Sequence, residues 1–129
     1  MRIALMAQDK KKEQMVRFCL SRAGLLSRNE IFSTGTTGKM VAEATGLPIR
    51  CFLTGKQGGD QQIAERVAYG EIDLLIFFRD TLTSAPVKIY DDLLRTCDIY
   101  GVPYATNLAT AEALLSALSR GELHSDNAR

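Results

Sequence analysis

The sequence predicts an α/β fold: a mainly parallel, five-stranded sheet with helices on both faces. Three observations carry this. Five short apolar runs of strand length alternate with stretches of helical, amphipathic spacing. One run, Asp73 to Phe78 (DLLIFF), is apolar on both faces after its first residue, as a central strand covered on each side must be. Gly46, Gly70, Gly101 and Gly121 each stand just past a helical stretch, where the left-handed backbone that ends a helix favours glycine.

The elements follow in order. The runs IALMA (Ile3 to Ala7), EIFST (Glu30 to Thr34), IRCFL (Ile49 to Leu53), DLLIFF and VPYAT (Val102 to Thr106) are the strands. Between them, Lys11 to Leu26 carries Met15, Phe18, Cys19, Ala23 and Leu26 mostly at three- and four-residue steps, which makes one apolar stripe on a helix. Further helices are expected over Lys39 to Thr45, Asp60 to Tyr69, Val87 to Tyr100 and Ala109 to Arg120. No internal repeat or low-complexity linker interrupts this order. Residues 1–123 read as one domain and 124–129 as a frayed polar tail.

The bulk composition narrows the function classes. The chain has 129 residues, 46% apolar and 24% charged, which is enough for a real core. A net charge of +1 creates no strong field for nucleic acid or an anionic membrane, and Lys10, Lys11 and Lys12 read as a solvated helix start. No apolar run approaches the ~20 residues that span a bilayer. The opening MRIALMAQD turns polar too soon for a signal peptide. Cys19, Cys51 and Cys97 match no zinc or disulfide spacing and are expected as buried thiols in a reducing cytoplasm. The single histidine, His124, lies in the tail, and no cluster of metal ligands is visible.

In a sheet of this kind ligands bind beyond the carboxyl ends of the strands. The segments there are Gln8 to Lys12, Gly35 to Lys39, Thr54 to Asp60, Arg79 to Pro86 and Asn107 to Thr110. In STGTTGK, the hydroxyls of Thr34, Thr36 and Thr37, the glycine Gly35, the lysine Lys39 and the free amides of a helix start together suit an anion. The spacing is neither the Walker pattern nor the dinucleotide fingerprint. Thr54-Gly55 forms a second loop of the same type. Asp60, behind Gly58 and Gly59, has two readings: an N-cap, which would lower its pKa, or a general base. Asp9 and Asp80 each follow a strand and bring two more carboxylates to the same edge.

The motifs STGTTGK, TGKQGGDQQ, IFFRDTLT and PYATN resemble those of the methylglyoxal synthase family, and the resemblance runs from about Arg2 to Leu118. It implies a three-layer α/β/α fold of Rossmann-like type, a cytoplasmic homohexamer and no cofactor. It also implies elimination of phosphate from dihydroxyacetone phosphate to give methylglyoxal through an enediolate. Carried over by position, the phosphate-binding residues fall on Lys12, Thr34, Gly35, Thr36, Thr37, Thr54 and Gly55. The base falls on Asp60, and further active-site aspartates fall on Asp9 and Asp80.

The departures are specific. The family has histidine where this chain has Gln8, and a second histidine, the electrophile beside the carbonyl, where it has Val87. The stretch after Pro86 is one residue shorter, so the family's aspartate there falls on Tyr90 or Ile89; Asp91 or Asp92 would replace it only through a rebuilt loop. Thr81 and Lys56 replace prolines. Three readings follow: a methylglyoxal synthase in which Gln8, Lys56 or Arg79 polarises the carbonyl, a lyase or isomerase acting on another phosphorylated ketone or aldehyde, or a non-catalytic phosphometabolite-binding module. The first two make use of the intact GGDQQ; a pure sensor needs the threonine loop but not Asp60.

Overall fold

The strands pair side by side because each carries two apolar faces that only flanking layers can cover. β1 (Arg2–Ala7), β2 (Glu30–Ser33), β3 (Ile49–Cys51), β4 (Leu74–Phe78) and β5 (Tyr104–Ala105) form one parallel sheet in the order β3-β2-β1-β4-β5. The computed structural model describes residues 1–52, 58–82 and 88–124, with positions 88 and 89 described as backbone. Within these, a 3-10 turn (Asp9–Lys11) leads into α1 (Lys12–Ser21) and α2 (Ala23–Leu26), followed along the chain by α3 (Gly35–Thr45), α4 (Gly59–Ala68), α5 (Lys88–Tyr100) and α6 (Leu108–Ser119).

The two-residue period of the strands divides the core in two. Ile3, Leu5, Ala7, Ile31, Leu74, Ile76 and Phe78 point to one face, where they meet Met15 and Phe18 of α1, Val41 of α3 and Leu115 of α6. Ala4, Met6, Phe32, Leu75 and Phe77 point to the other, against Ile63 and Val67 of α4 and Leu93 and Cys97 of α5. The result is a three-layer α/β/α fold with β4 fully buried on both sides, as its unbroken apolar run predicts.

Element boundaries depart from the sequence reading where chemistry was read too locally. The long first helix breaks at Arg22 (φ −117°, ψ 17°), whose guanidinium turns to Glu112 of α6, with Nε to Oε2 at 2.9 Å. α3 starts at Gly35, four residues before the predicted Lys39, so Gly35 to Lys39 is the first turn of a helix rather than a loop. Gly38 is not a loop marker. A Cβ there would stand 2.7 Å from Cys51 Sγ and 3.0 Å from Ser33 Cβ, so glycine lets α3 lie close on β2 and β3. Cys19 and Cys97 are buried as expected, and burial pushes both thiols up to about 12. Cys51 is instead exposed, because β3 is an edge strand.

No helix among the described residues is long and apolar enough to cross a membrane. Among them, too, no group of three histidine, cysteine, aspartate or glutamate side chains is arranged to hold a metal ion.

Gly38→Val should overpack the α3–sheet contact and destabilise the protein by about 1–3 kcal/mol, measured by urea unfolding. Cys51→Ala in the same chain should recover part of that loss, because one of the two close atoms is then removed.

Candidate active site

The sheet order places a switch point between β1 and β4. From β1 the chain moves through α1 toward β2, and from β4 it moves through α5 toward β5, so the two connections diverge on opposite faces. A crevice opens at the carboxyl ends of two such strands. Gln8 follows β1 and bridges the crevice. Its backbone N–H donates to Phe78 O at 3.2 Å, and its Oε1 accepts from the Asp80 N–H at 2.6 Å.

Lys12 begins α1 and turns back over the end of β1. Its ammonium donates to Ala7 O at 2.6 Å and to Thr37 Oγ1 at 3.1 Å, and lies 3.6 Å from Asp9 Oδ1. An ammonium has three protons; two are held by Ala7 O and Thr37 Oγ1, and the Asp9 carboxylate lies nearby at the rim. Thr37 accepts from Lys12, which leaves its own hydroxyl proton free to donate.

Thr34 occupies the N-cap position of α3 in extended backbone and is buried. The first turn of this helix leaves the amides of Gly35, Thr36 and Thr37 without an intrahelical acceptor. Thr36 is exposed and Thr37 is buried. The fixed ammonium, hydroxyls and amides together form a positive, donor-rich cluster of the kind that suits an anion.

Asp60 corrects the capping reading. Gly58 is the N-cap of α4, in a left-handed backbone (φ 100°) that favours glycine, and Asp60 lies inside the first turn. Gly58 itself brings no side-chain cap to this helix. The Asp60 carboxyl is buried, with 5% of its surface exposed. Burial raises its pKa, and the nearby Lys12 charge only partly counters this. A cap would have lowered the pKa. A raised carboxylate is the stronger base, and this is the direction general-base chemistry near neutral pH requires.

The other two aspartates are placed differently. The Asp9 side chain is 86% exposed at the rim. Asp80 lies at the crevice, but its Oδ1 accepts from the Leu82 N–H at 3.0 Å, an arrangement that shapes the turn after β4. Gly59 is buried in the first turn of α4. Thr54, Gly55 and Lys56, with Val87, lie outside the described residues.

Tyr90 was not among the expected site residues. It sits in the first turn of α5, with its ring 4.9 Å from that of Phe77 and the Arg79 guanidinium 5.9 Å above it. Burial raises the phenol pKa, as does the Asp60 charge, while the Gln8 side chain and the Arg79 charge lower it. Asp91 is exposed and pairs with Arg79 at 3.8 Å, and Asp92 is exposed. Of the residues near the family's missing aspartate, Tyr90 is the one whose ring packs on Phe77 of β4 and whose phenol feels the Asp60 charge. The sequence signal was the count that placed Tyr90 there; its aromatic character made it look like core.

Residues 20–106 match the family model described as an MGS-like domain, a span that includes Thr34 to Thr37, Asp60, Asp80 and Tyr90. The chain is 52% identical over 124 residues to the methylglyoxal synthase of Caldicellulosiruptor saccharolyticus, covering 95% of this chain and 88% of that one. It is 46% identical over 126 residues to the methylglyoxal synthase of an Exiguobacterium species, covering 97% and 92%. The crystal structure of methylglyoxal synthase from Elizabethkingia anophelis superposes with a TM-score of 0.83 at 38% identity, covering 89% of this chain and 76% of that one. Similarity of this extent, on a parallel α/β/α sheet with a buried carboxylate in the first turn of α4, makes this chain a member of the methylglyoxal synthase family of enzymes.

Proposed function

We propose that the protein is a carbon–oxygen lyase that eliminates phosphate from dihydroxyacetone phosphate to give methylglyoxal. The observation that carries this is Asp60, a buried carboxylate raised by desolvation, set near a lysine that is locked to Thr37 at a helix start. Lys12 and the first turn of α3 take the phosphate, and Asp60 faces the carbon skeleton.

The reaction then balances without a cofactor. Asp60 takes a proton from the hydroxymethyl carbon beside the ketone. The released electron pair forms a double bond to the carbonyl carbon, and the ketone oxygen takes the charge as an enediolate. The enediol hydroxyl next loses its proton and becomes an aldehyde. The double bond shifts toward the phosphorylated carbon, the C–O bond breaks, and its electron pair leaves with phosphate. The enolate that remains gains a proton at its methylene carbon and becomes methylglyoxal. A fixed cation and helix amides around the phosphate stabilise the leaving group without reorganising at the moment of reaction.

The deciding experiment is a phosphate-release assay with dihydroxyacetone phosphate on purified protein. Release is expected, and methylglyoxal should form with it. Binding of phosphate without release would instead favour the binding-module reading. Release from other phosphorylated ketones or aldehydes alone would favour a related lyase.

Asp60→Asn keeps the shape of the site and removes the base. Turnover should fall about 10²–10⁴-fold with phosphate affinity retained. The same variant should be more stable than the parent at pH 7. A carboxyl whose folded pKa is raised lends full stability below its unfolded pKa, about 3.9, and loses it as pH rises through the folded value. The ionised Asp60 is therefore a net cost at neutral pH that the amide avoids. Melting curves should show an advantage for the variant at pH 7 that shrinks as pH falls toward 4.

The anion pocket has its own test. Thr36→Val with Thr37→Val keeps the side-chain shape, removes two hydroxyl donors and frees Lys12 from one of its anchors. Titration calorimetry should show a large loss of phosphate affinity, and unchanged affinity would remove these residues from the site.

Assembly follows from family membership. The proposal is a cytoplasmic homohexamer, and light scattering at micromolar concentration should give a mass several times that of the 14.2 kDa chain. A clean monomer would overturn it.

A further inference from the structure

At the carboxyl end of β1 a side chain stands in for backbone. In a parallel ladder a residue donates its N–H to a carbonyl of the neighbouring strand and accepts, at its own carbonyl, from the N–H two positions further along that strand. Ala7 lies opposite Phe78, so Gln8 lies opposite Arg79. The Gln8 N–H donates to Phe78 O at 3.2 Å, as the ladder requires. The next bond would run from the Asp80 N–H to the Gln8 carbonyl. That carbonyl instead accepts from the Lys11 N–H at 2.8 Å and starts the turn that leads to Lys12. The Asp80 N–H goes to the Gln8 side chain, 2.6 Å from Oε1. A backbone N–H only donates, so the amide oxygen is the atom that faces it.

This exchange of acceptors joins two parts of the edge. Through its backbone carbonyl, Gln8 begins the turn that brings Lys12 back over the end of β1, where the ammonium meets Ala7 O and Thr37 Oγ1. Through its side chain, it holds the first residues after β4. Arg79 is fixed between the two Gln8 bonds, and its own N–H reaches Thr106 O at 3.4 Å. Asp80 then turns the chain by accepting the Leu82 N–H at its Oδ1. The Arg79 guanidinium lies 6.0 Å over the Phe77 ring, 5.9 Å over the Tyr90 ring and 3.8 Å from Asp91. What fixes the Arg79 backbone therefore also bears on the start of α5.

We propose that Gln8 is a positioning residue: its side-chain amide oxygen takes the ladder place that its backbone carbonyl gives up, and so holds Arg79 and Asp80 in register with Lys12. The assignment gives this oxygen a protein partner rather than a substrate one. Its bearing on turnover rests on the lyase reading of the site; the bond itself does not.

Two variants test it in the full chain. Gln8→Met keeps the length of the side chain and removes the acceptor. Gln8→Glu keeps an acceptor in the same place. Gln8 is only half-buried, so both side chains are accommodated. Amide hydrogen exchange followed by NMR reads the bond directly. In Gln8→Met the Asp80 amide should exchange about tenfold faster than in the parent, the equilibrium worth of one neutral hydrogen bond. The amides of Leu5 and Ile76, paired deep in β1 and β4, should keep their rates. In Gln8→Glu the Asp80 amide should stay protected. The kcat for phosphate release by Gln8→Met should fall about ten- to a hundredfold, as a small misplacement at a reacting site does, while KM changes less than about threefold.

The outcomes separate the two claims. Unchanged Asp80 exchange in Gln8→Met overturns the assignment. So does a rise shared equally by Leu5 and Ile76, because Gln8 would then serve general stability. A Gln8→Glu variant that loses Asp80 protection as Gln8→Met does overturns it as well. With an active parent, a Gln8→Met variant of locally fast exchange but equal kcat overturns the positioning role and leaves the lyase reading standing. A parent that releases no phosphate overturns the lyase reading, and the exchange pattern alone then decides whether Gln8 sets the register.

Discussion

The Lys12 ammonium is the fixed charge around which the carboxyl edge of the sheet is organised. One proton goes to the last carbonyl of β1 and one to Thr37 at the start of α3, which ties a strand end to two helix starts. Its side chain is only 16% exposed, so neither bond competes freely with bulk water. The same charge partly offsets the burial of Asp60 on the far side of the sheet. Without a cation there, a carboxyl this buried would be pushed further toward its neutral form and lose its use as a base.

Much of the fold could be read directly, and the reasons are physical. β4 was legible because only a strand covered on both faces carries an unbroken run such as LLIFF. The ends of the helices were legible because Gly46, Gly70, Gly101 and Gly121 adopt φ values of 73°, 73°, 69° and 71°, which residues with a Cβ seldom adopt. Gly38 misled because the same residue type answers two different needs. Its glycine serves a close helix–sheet approach, which is a tertiary fact with no local signature.

The candidate site was legible in its donors and less so in its electrostatics. The threonine motif and Lys12 come together at α3 as the motif suggests. For Asp60 the error was two residues of register. As a cap, the carboxyl would face free amides and be a weaker base; two positions past the cap it is buried and becomes a stronger one. The three acids also look alike in sequence, yet one is buried, one is spent on a turn and one is exposed at the rim. Counting placed the family's aspartate on Tyr90 or Ile89 but could not choose between them, and an aromatic residue in an amphipathic helix is usually core, as the packing of the Tyr90 ring on Phe77 bears out.

The division of the core into two clusters has a consequence for how this architecture can change. The ammonium and the threonine hydroxyls ride on the layer of α1 and α3, whereas the carboxyl and the phenol ride on the layer of α4 and α5. The sheet separates the two layers, and β1 and β4 are buried on both sides. Side-chain changes among Ile63, Val67, Leu93 and Cys97 therefore bear on the acid and phenol groups together and leave the layer of Lys12 and the threonines where it is. A lineage can in this way adjust the acidic side of the edge without disturbing the donor-rich side. The two halves of the site become separately adjustable parts of one small protein.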